Sequence, residues 1–129
     1  MDKQVAKKAA KWWADHLRTP AKLDNGDPSE NGLYTTMLAT MLQSKERESV
    51  TPALVNAFEK QLAKQLTKEQ SGYVYLGVDY DPCFELRNAA DTVGLELGST
   101  TLPWKTSMWI DDGVIKIRCG YGGLIETLT

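Results

Sequence analysis

Apolar positions recur at three- and four-residue spacings over residues 2–18, where Val5, Ala9, Trp12, Trp13, His16 and Leu17 share one side of the wheel while Lys3, Lys7, Lys8, Lys11 and Asp15 fall elsewhere. That period predicts an amphipathic helix, and Pro20 stops it. Residues 19–29 then gather Pro20, Asn25, Gly26 and Pro28, which is turn chemistry. Asp27-Pro28-Ser29-Glu30 sets a capping aspartate, a proline at the first helical position and a glutamate three residues after the cap, so a second helix is expected there. Its stripe is Tyr34, Met37, Leu38, Met41 and Leu42, and Gly32 weakens its first turns by about 1 kcal/mol relative to alanine. After a charged loop over residues 44–49, Thr51-Pro52 repeats the cap-then-proline signal and opens a third helix, with Leu54, Val55, Phe58, Leu62 and Leu66 as its buried face.

Beyond Gly72 the period changes. Residues 73–79 are aromatic and β-branched and read as a strand, and Asp81-Pro82 is the cap signal of a short fourth helix carrying Phe84, Leu86, Ala89, Ala90 and Val93, closed by Gly94. An irregular connection over residues 95–103 leads to the clearest local signal, two β-rich runs (106–111 and 114–119) joined at Asp112-Gly113, a dipeptide that favours the left-handed conformations of a tight hairpin turn. Ile115 and Ile117 alternate with Lys116 and Arg118, which gives this strand one dry and one wet face. Gly120-Tyr121-Gly122-Gly123 interrupts the pattern before a last strand over residues 124–128. The expected order is αααβαβββ: an α+β fold with three N-terminal helices, then a small, mostly antiparallel sheet of about four strands with one further helix. The pattern holds no internal repeat or linker, so residues 1–129 read as a single domain.

At this length folding hides roughly two-thirds of the surface of the unfolded chain, enough for one real core. The 42% hydrophobic and 25% charged composition is that of an ordinary globular domain rather than a disordered chain. A net charge of −2 gives no global field toward nucleic acid or an anionic membrane and leaves room only for a local basic patch. No run of eighteen apolar residues occurs, and the lysine-bearing start lacks the apolar stretch of a signal peptide. A cytoplasmic protein is therefore expected, with Cys83 and Cys119 as free thiols.

Candidate chemistry is sparse. One histidine, His16, on the apolar side of the first helix, is read as structural and excludes a histidine cluster within one chain. Asp24-Asn25-Gly26-Asp27 has the residue types of half a calcium loop but not the acid at the twelfth position, so an Asx-turn into a helix cap is the better reading and no metal is expected. Asp79 and Asp81 flank Tyr80 as a paired-acid alternative, with Asp81 better used as a cap. The glycine turn at residues 120–123 lacks the lysine of a phosphate-binding loop and the dinucleotide spacing, and no cofactor is expected. Trp104, Lys105, Arg118 and Tyr121 are the candidate partner- or ligand-binding residues, two flat faces and two charges near one end of the hairpin. The competing reading, which the weight of aromatics in cores favours, is that Trp104 and Trp109 fill the core.

The run from Trp12-Trp13-Ala14-Asp15 to Asp24-Asn25-Gly26-Asp27, with Pro103-Trp104-Lys105-Thr106 and Gly120-Tyr121-Gly122, resembles short proteins encoded by phages and prophages. The resemblance covers most of the chain and implies an inhibitor of bacterial defence, a plug on a CRISPR effector or a sponge for a nucleotide signal, without assigning roles to residues. Taken with four tryptophans and five tyrosines as anchoring surface, this makes a non-enzymatic binding protein the leading expectation. Its partner is a host protein or a nucleotide-type small molecule, with no membrane and no strong nucleic-acid signal, and self-association is left open. A nucleotide- or small-ligand-binding protein is the alternative, and a small enzyme using carboxylates, a free cysteine or a lysine is the third reading.

Overall fold

In the computed structural model, which describes residues 1–19, 41, 48, 50–79, 81–98, 101–103, 105–120 and 122–128, helix α1 spans Lys3–Arg18. The Asp2 carboxylate caps it, accepting from the backbone N–H groups of Gln4 (2.9 Å) and Val5 (3.3 Å). Its buried face is Ala6, Ala9, Ala10, Trp13, Ala14 and Leu17, with Val5 and Trp12 only partly covered. Helix α2, Pro52–Thr67, starts as its sequence predicts: Thr51 Oγ1 accepts from the Leu54 N–H (3.3 Å) and Pro52 opens the first turn. It buries Val55, Phe58, Leu62 and Leu66. The two helices run antiparallel, because the Met1 amino group donates to the Glu69 carbonyl (2.6 Å) at one end while Arg18 reaches Glu59 (2.7 Å) and Asn56 (2.9 Å) at the other. The small alanines on α1 allow this close approach while Trp13 and Phe58, both fully buried, fill the volume beside them.

Strand β1 (Tyr73–Val78) is followed by helix α3 (Phe84–Val93), strands β2 (Thr106–Asp111) and β3 (Val114–Cys119), and the short β4 (Ile125–Leu128). The strands form one antiparallel sheet in chain order, with Val74 opposite Ile110, Leu76 opposite Met108, Met108 opposite Ile117 and Ile115 opposite Leu128. Those residues, with Val78, line the inner face and join Trp13, Phe58, Leu62, Leu86, Leu95 and Leu102 in the core. The hairpin turn is as expected: Asp112 and Gly113 both have positive φ, 49° and 79°.

Three expectations are corrected. Among the described residues two helices precede β1, not three, so the expected order is not matched. The helix expected to begin at Asp27-Pro28 lies outside the described residues except for Met41, which is helical and 67% exposed. A periodic stripe says which side a helix would present, not that anything covers it. Second, Asp81 does not cap α3. Pro82 pairs with Val78 in an isolated bridge and the Cys83 N–H donates to the Gly77 carbonyl (2.9 Å), so the chain stays extended along the end of β1 and the helix starts only at Phe84, with Cys83 at the cap position and no side-chain cap bond. Phe84, expected on the apolar side, is 77% exposed, because two residues of helix turn it about 200° away from Leu86, which with Ala89 and Ala90 makes the buried side. Third, Trp109 does not fill the core. It alternates with Met108 and Ile110, which point inward, and so falls on the outer face of the sheet.

Candidate functional site

The pleat that buries Val74, Leu76, Met108, Ile110, Ile115 and Ile117 puts the alternate residues of the strands on the opposite face. The antiparallel register then lines them up: Tyr75 lies opposite Trp109 and Trp109 opposite Lys116, while Gly77 lies opposite Ser107, Ser107 opposite Arg118 and Arg118 opposite Ile125. Tyr73, Tyr75, Lys116 and Ile125 are exposed on this face, Trp109 and Arg118 are half-buried, and no helix of the described residues covers it.

The centre of the face is a contact chain. The Tyr75 and Trp109 ring centroids are 6.1 Å apart at an interplanar angle of 52°, and the Arg118 guanidinium carbon stands 5.6 Å from the Trp109 ring centroid. A guanidinium over an indole face is held by the ring's quadrupole and contributes about 0.5–1 kcal/mol where water has access. The Tyr75 ring lies across Gly77, so a Cβ there would run into its hydroxyl and ring carbons, and the Tyr75 hydroxyl meets Ser107 Oγ at 3.2 Å. Gly77 therefore provides the space in which the Tyr75 ring lies flat. The Arg118 Nε–H is buried without a hydrogen-bond acceptor among the described residues. A donor held in that state keeps part of its bonding capacity unused.

Of the four residues expected from the sequence, Trp104 and Tyr121 lie outside the described residues. The structure brings the ends of the strands that carry the other two together: the Gly120 N–H donates to the Lys105 carbonyl (2.8 Å), and the Lys105 N–H donates to the Asp79 carbonyl (3.0 Å). Lys105 sits in the left-handed region (φ 58°), which ties the end of β1 to the turn after β3. Arg118 lies one residue further into β3, facing outward. Sequence reasoning missed Tyr75, although its alternation with Val74 and Leu76 already placed it on the wet face, and it missed the Trp109–Arg118 contact, which depends on the register.

The remaining chemistry is quiet. His16 Nδ1 lies 2.7 Å from the Trp12 carbonyl and its ring lies on the Trp12 ring at 3.9 Å, so it serves the surface of α1. Both cysteines are free. Burial pushes the Cys83 thiol up from its ordinary range, and burial with the nearby Glu126 charge does the same for Cys119, the opposite of what activates a nucleophile. Among the described residues no three His, Cys, Asp or Glu side chains come together as metal ligands would. The Asp24 to Asp27 loop lies outside the described residues. Gly123 follows Gly120 in a turn (N–H to carbonyl, 3.2 Å) where a Cβ would meet the Cys119 carbonyl oxygen, which accounts for a glycine there without a phosphate. No helix among the described residues is long and apolar enough to cross a membrane. Neither a protein-family model nor a curated protein sequence matches this chain.

Proposed function

We propose that this chain is a non-enzymatic binding protein whose partner surface is the outer face of the sheet, centred on Tyr75, Trp109 and Arg118. The observation that carries the reading is the Arg118 guanidinium over Trp109, beside Tyr75, on a sheet face that no described helix covers. Trp, Tyr and Arg are the side chains that most often dominate binding energy at protein interfaces, since they bury large areas with few rotatable bonds and still offer polar ends. Here they stand on strands, whose hydrogen-bonded ladder fixes their spacing before any partner arrives. The guanidinium suits a carboxylate, which it meets with two parallel hydrogen bonds. The partner surface is a protein with an acidic group beside an apolar one. The resemblance to phage- and prophage-encoded proteins makes a host defence protein, such as a CRISPR effector, the partner class to test first.

A protein partner suits the geometry better than a nucleotide. The 52° between the Tyr75 and Trp109 rings leaves no parallel slot for a base, and Gly120, with φ 81°, and Gly123, whose Cβ would meet the Cys119 carbonyl oxygen, are accounted for by the turn.

The test is retention of host proteins on immobilised parent, on the double variant Tyr75→Ala with Arg118→Ala, and on Asn88→Ala, an exposed change on α3. Parent and Asn88→Ala retain the same protein in a fixed ratio. The double variant keeps the parent's circular dichroism and binds that protein at least tenfold more weakly, a loss of about 1.4 kcal/mol. Equal retention by the double variant rules out this face.

A further inference from the structure

On the other side of the fold, α1 and α2 flank an open groove of about 660 Å³ whose lining is dominated by one residue type. Lys3, Lys7 and Lys11 stand four residues apart on α1, and Lys60 and Lys64 stand four residues apart on α2, with Lys68 four residues further on at its C-cap. Lys8 joins them, so seven of the fifteen Lys and Arg residues line one groove in a chain whose net charge is −2. All seven are exposed. Four residues of helix advance about 6 Å, so each row carries an ammonium about every 6 Å over a length of about 12 Å. Because the helices are antiparallel, the two rows run side by side.

Among the described residues, two acids offset only part of this charge. Glu59 lines the groove but is held by Arg18 at 2.7 Å, and Asp15 is shared between Lys11 (2.7 Å) and Arg18 (2.6 Å). Folding gains nothing from the rows: like charges four residues apart on a helix repel and destabilise it, and any polar residue would keep these positions wet. The floor is the apolar part, Ala63 and the lysine stems, over which a chain can lie.

We infer that this groove binds the phosphodiester backbone of a nucleic acid without reading its sequence. Two regular rows of charge match a polymer whose charge repeats along its length. Lysine rather than arginine matches phosphate met as a point charge, whereas carboxylate recognition draws on the two-pronged guanidinium. No aromatic ring lines the groove among the described residues, so stacking and base reading are not part of it. The inference stands apart from the sheet face and does not depend on it.

The probe is a fluorescein-labelled single strand of mixed sequence about 20 nucleotides long, followed by anisotropy across a salt series. Contact with about five phosphates gives a slope of log K against log salt near −3.5. The triple variant Lys7→Gln, Lys64→Gln, Lys68→Gln relieves repulsion and melts no lower than the parent. Its slope is shallower by about 2, and its affinity at low salt is at least tenfold weaker. The corresponding triple arginine variant keeps both. Absence of binding at about 0.1 mM protein in low salt, the weak end of non-specific affinity, overturns the inference. So does a parent slope shallower than about −1, a triple glutamine variant that binds like the parent, or competition by poly-glutamate or phosphatidylserine vesicles as strong as by unlabelled oligonucleotide.

Discussion

Gly113 has φ 79°, and a Cβ built there meets only Val5 Cγ2 at 3.9 Å, an ordinary contact. The cost of a side chain at this position is therefore backbone strain and not lack of space. Gly113→Val should destabilise the fold by about 1–3 kcal/mol, since a β-branched residue is poorly tolerated in the left-handed region. Asp112, at φ 49°, already adopts that region as a non-glycine, and Asp112→Asn should change stability by less than about 0.5 kcal/mol, because asparagine is at least as tolerant there. Urea denaturation of the two variants checks both. Gly77 works differently. Its missing Cβ is a matter of space, filled by the Tyr75 ring, so its importance is invisible in the chain until the ring is placed.

At the scale of elements, the α1–α2 pair is closed at one end by a small charge network. Arg18 bridges Asp15 on its own helix and Glu59 on the next, and its hydrogen bond with Glu59, then that with Asp15, holds the guanidinium's pKa above its usual value. The hydrogen bond from Lys11, aided by Arg18 against a desolvation cost, holds the Asp15 carboxyl below the usual carboxylate range. A carboxylate whose folded value is depressed adds stability that is fully present above its unfolded value, about 3.9, and is lost as pH falls through the lower folded value. Asp15→Asn should therefore lower stability at about pH 6 by no more than about 1 kcal/mol, since the pair is largely exposed, and the difference from the parent should shrink toward zero as pH falls through that lowered value. Denaturation midpoints across that range read the effect. An unchanged gap at low pH would mean that the side chain acts through packing.

At the scale of the molecule, the described residues present an aromatic and cationic sheet face and a lysine-lined helix groove, and the core they build is aliphatic apart from Trp13 and Phe58 among its fully buried side chains. The thiols report on that core's sufficiency. Cys83 and Cys119 are free, and both are held above their ordinary pKa. Denatured without reductant, the protein should give two titratable thiols per chain. In the native state near neutral pH both should react slowly, the half-buried Cys83 more slowly than the exposed Cys119. A count of zero in the denatured titration would mean that the two thiols are oxidised.

Local signals in the chain determined most of the elements. The Thr51-Pro52 cap, the Phe58, Leu62 and Leu66 stripe, the left-handed Gly94 at the end of α3 and the Asp112-Gly113 turn each follow from contacts within a few residues, and such contacts are written in order along the sequence. The start of α3 was not legible, because Asp81-Pro82 has the residue types of a cap while the backbone of β1 draws that segment into a bridge. Nor was the outward position of Trp109. An aromatic residue between Met108 and Ile110 fits a core as well as a wet face until the pleat assigns its side. The sequence also supplied every charge in the helix groove but only as a total near zero. It took the antiparallel packing of α1 on α2 to set Lys3, Lys7 and Lys11 beside Lys60, Lys64 and Lys68, since charge density in space depends on which distant segments meet and net charge does not.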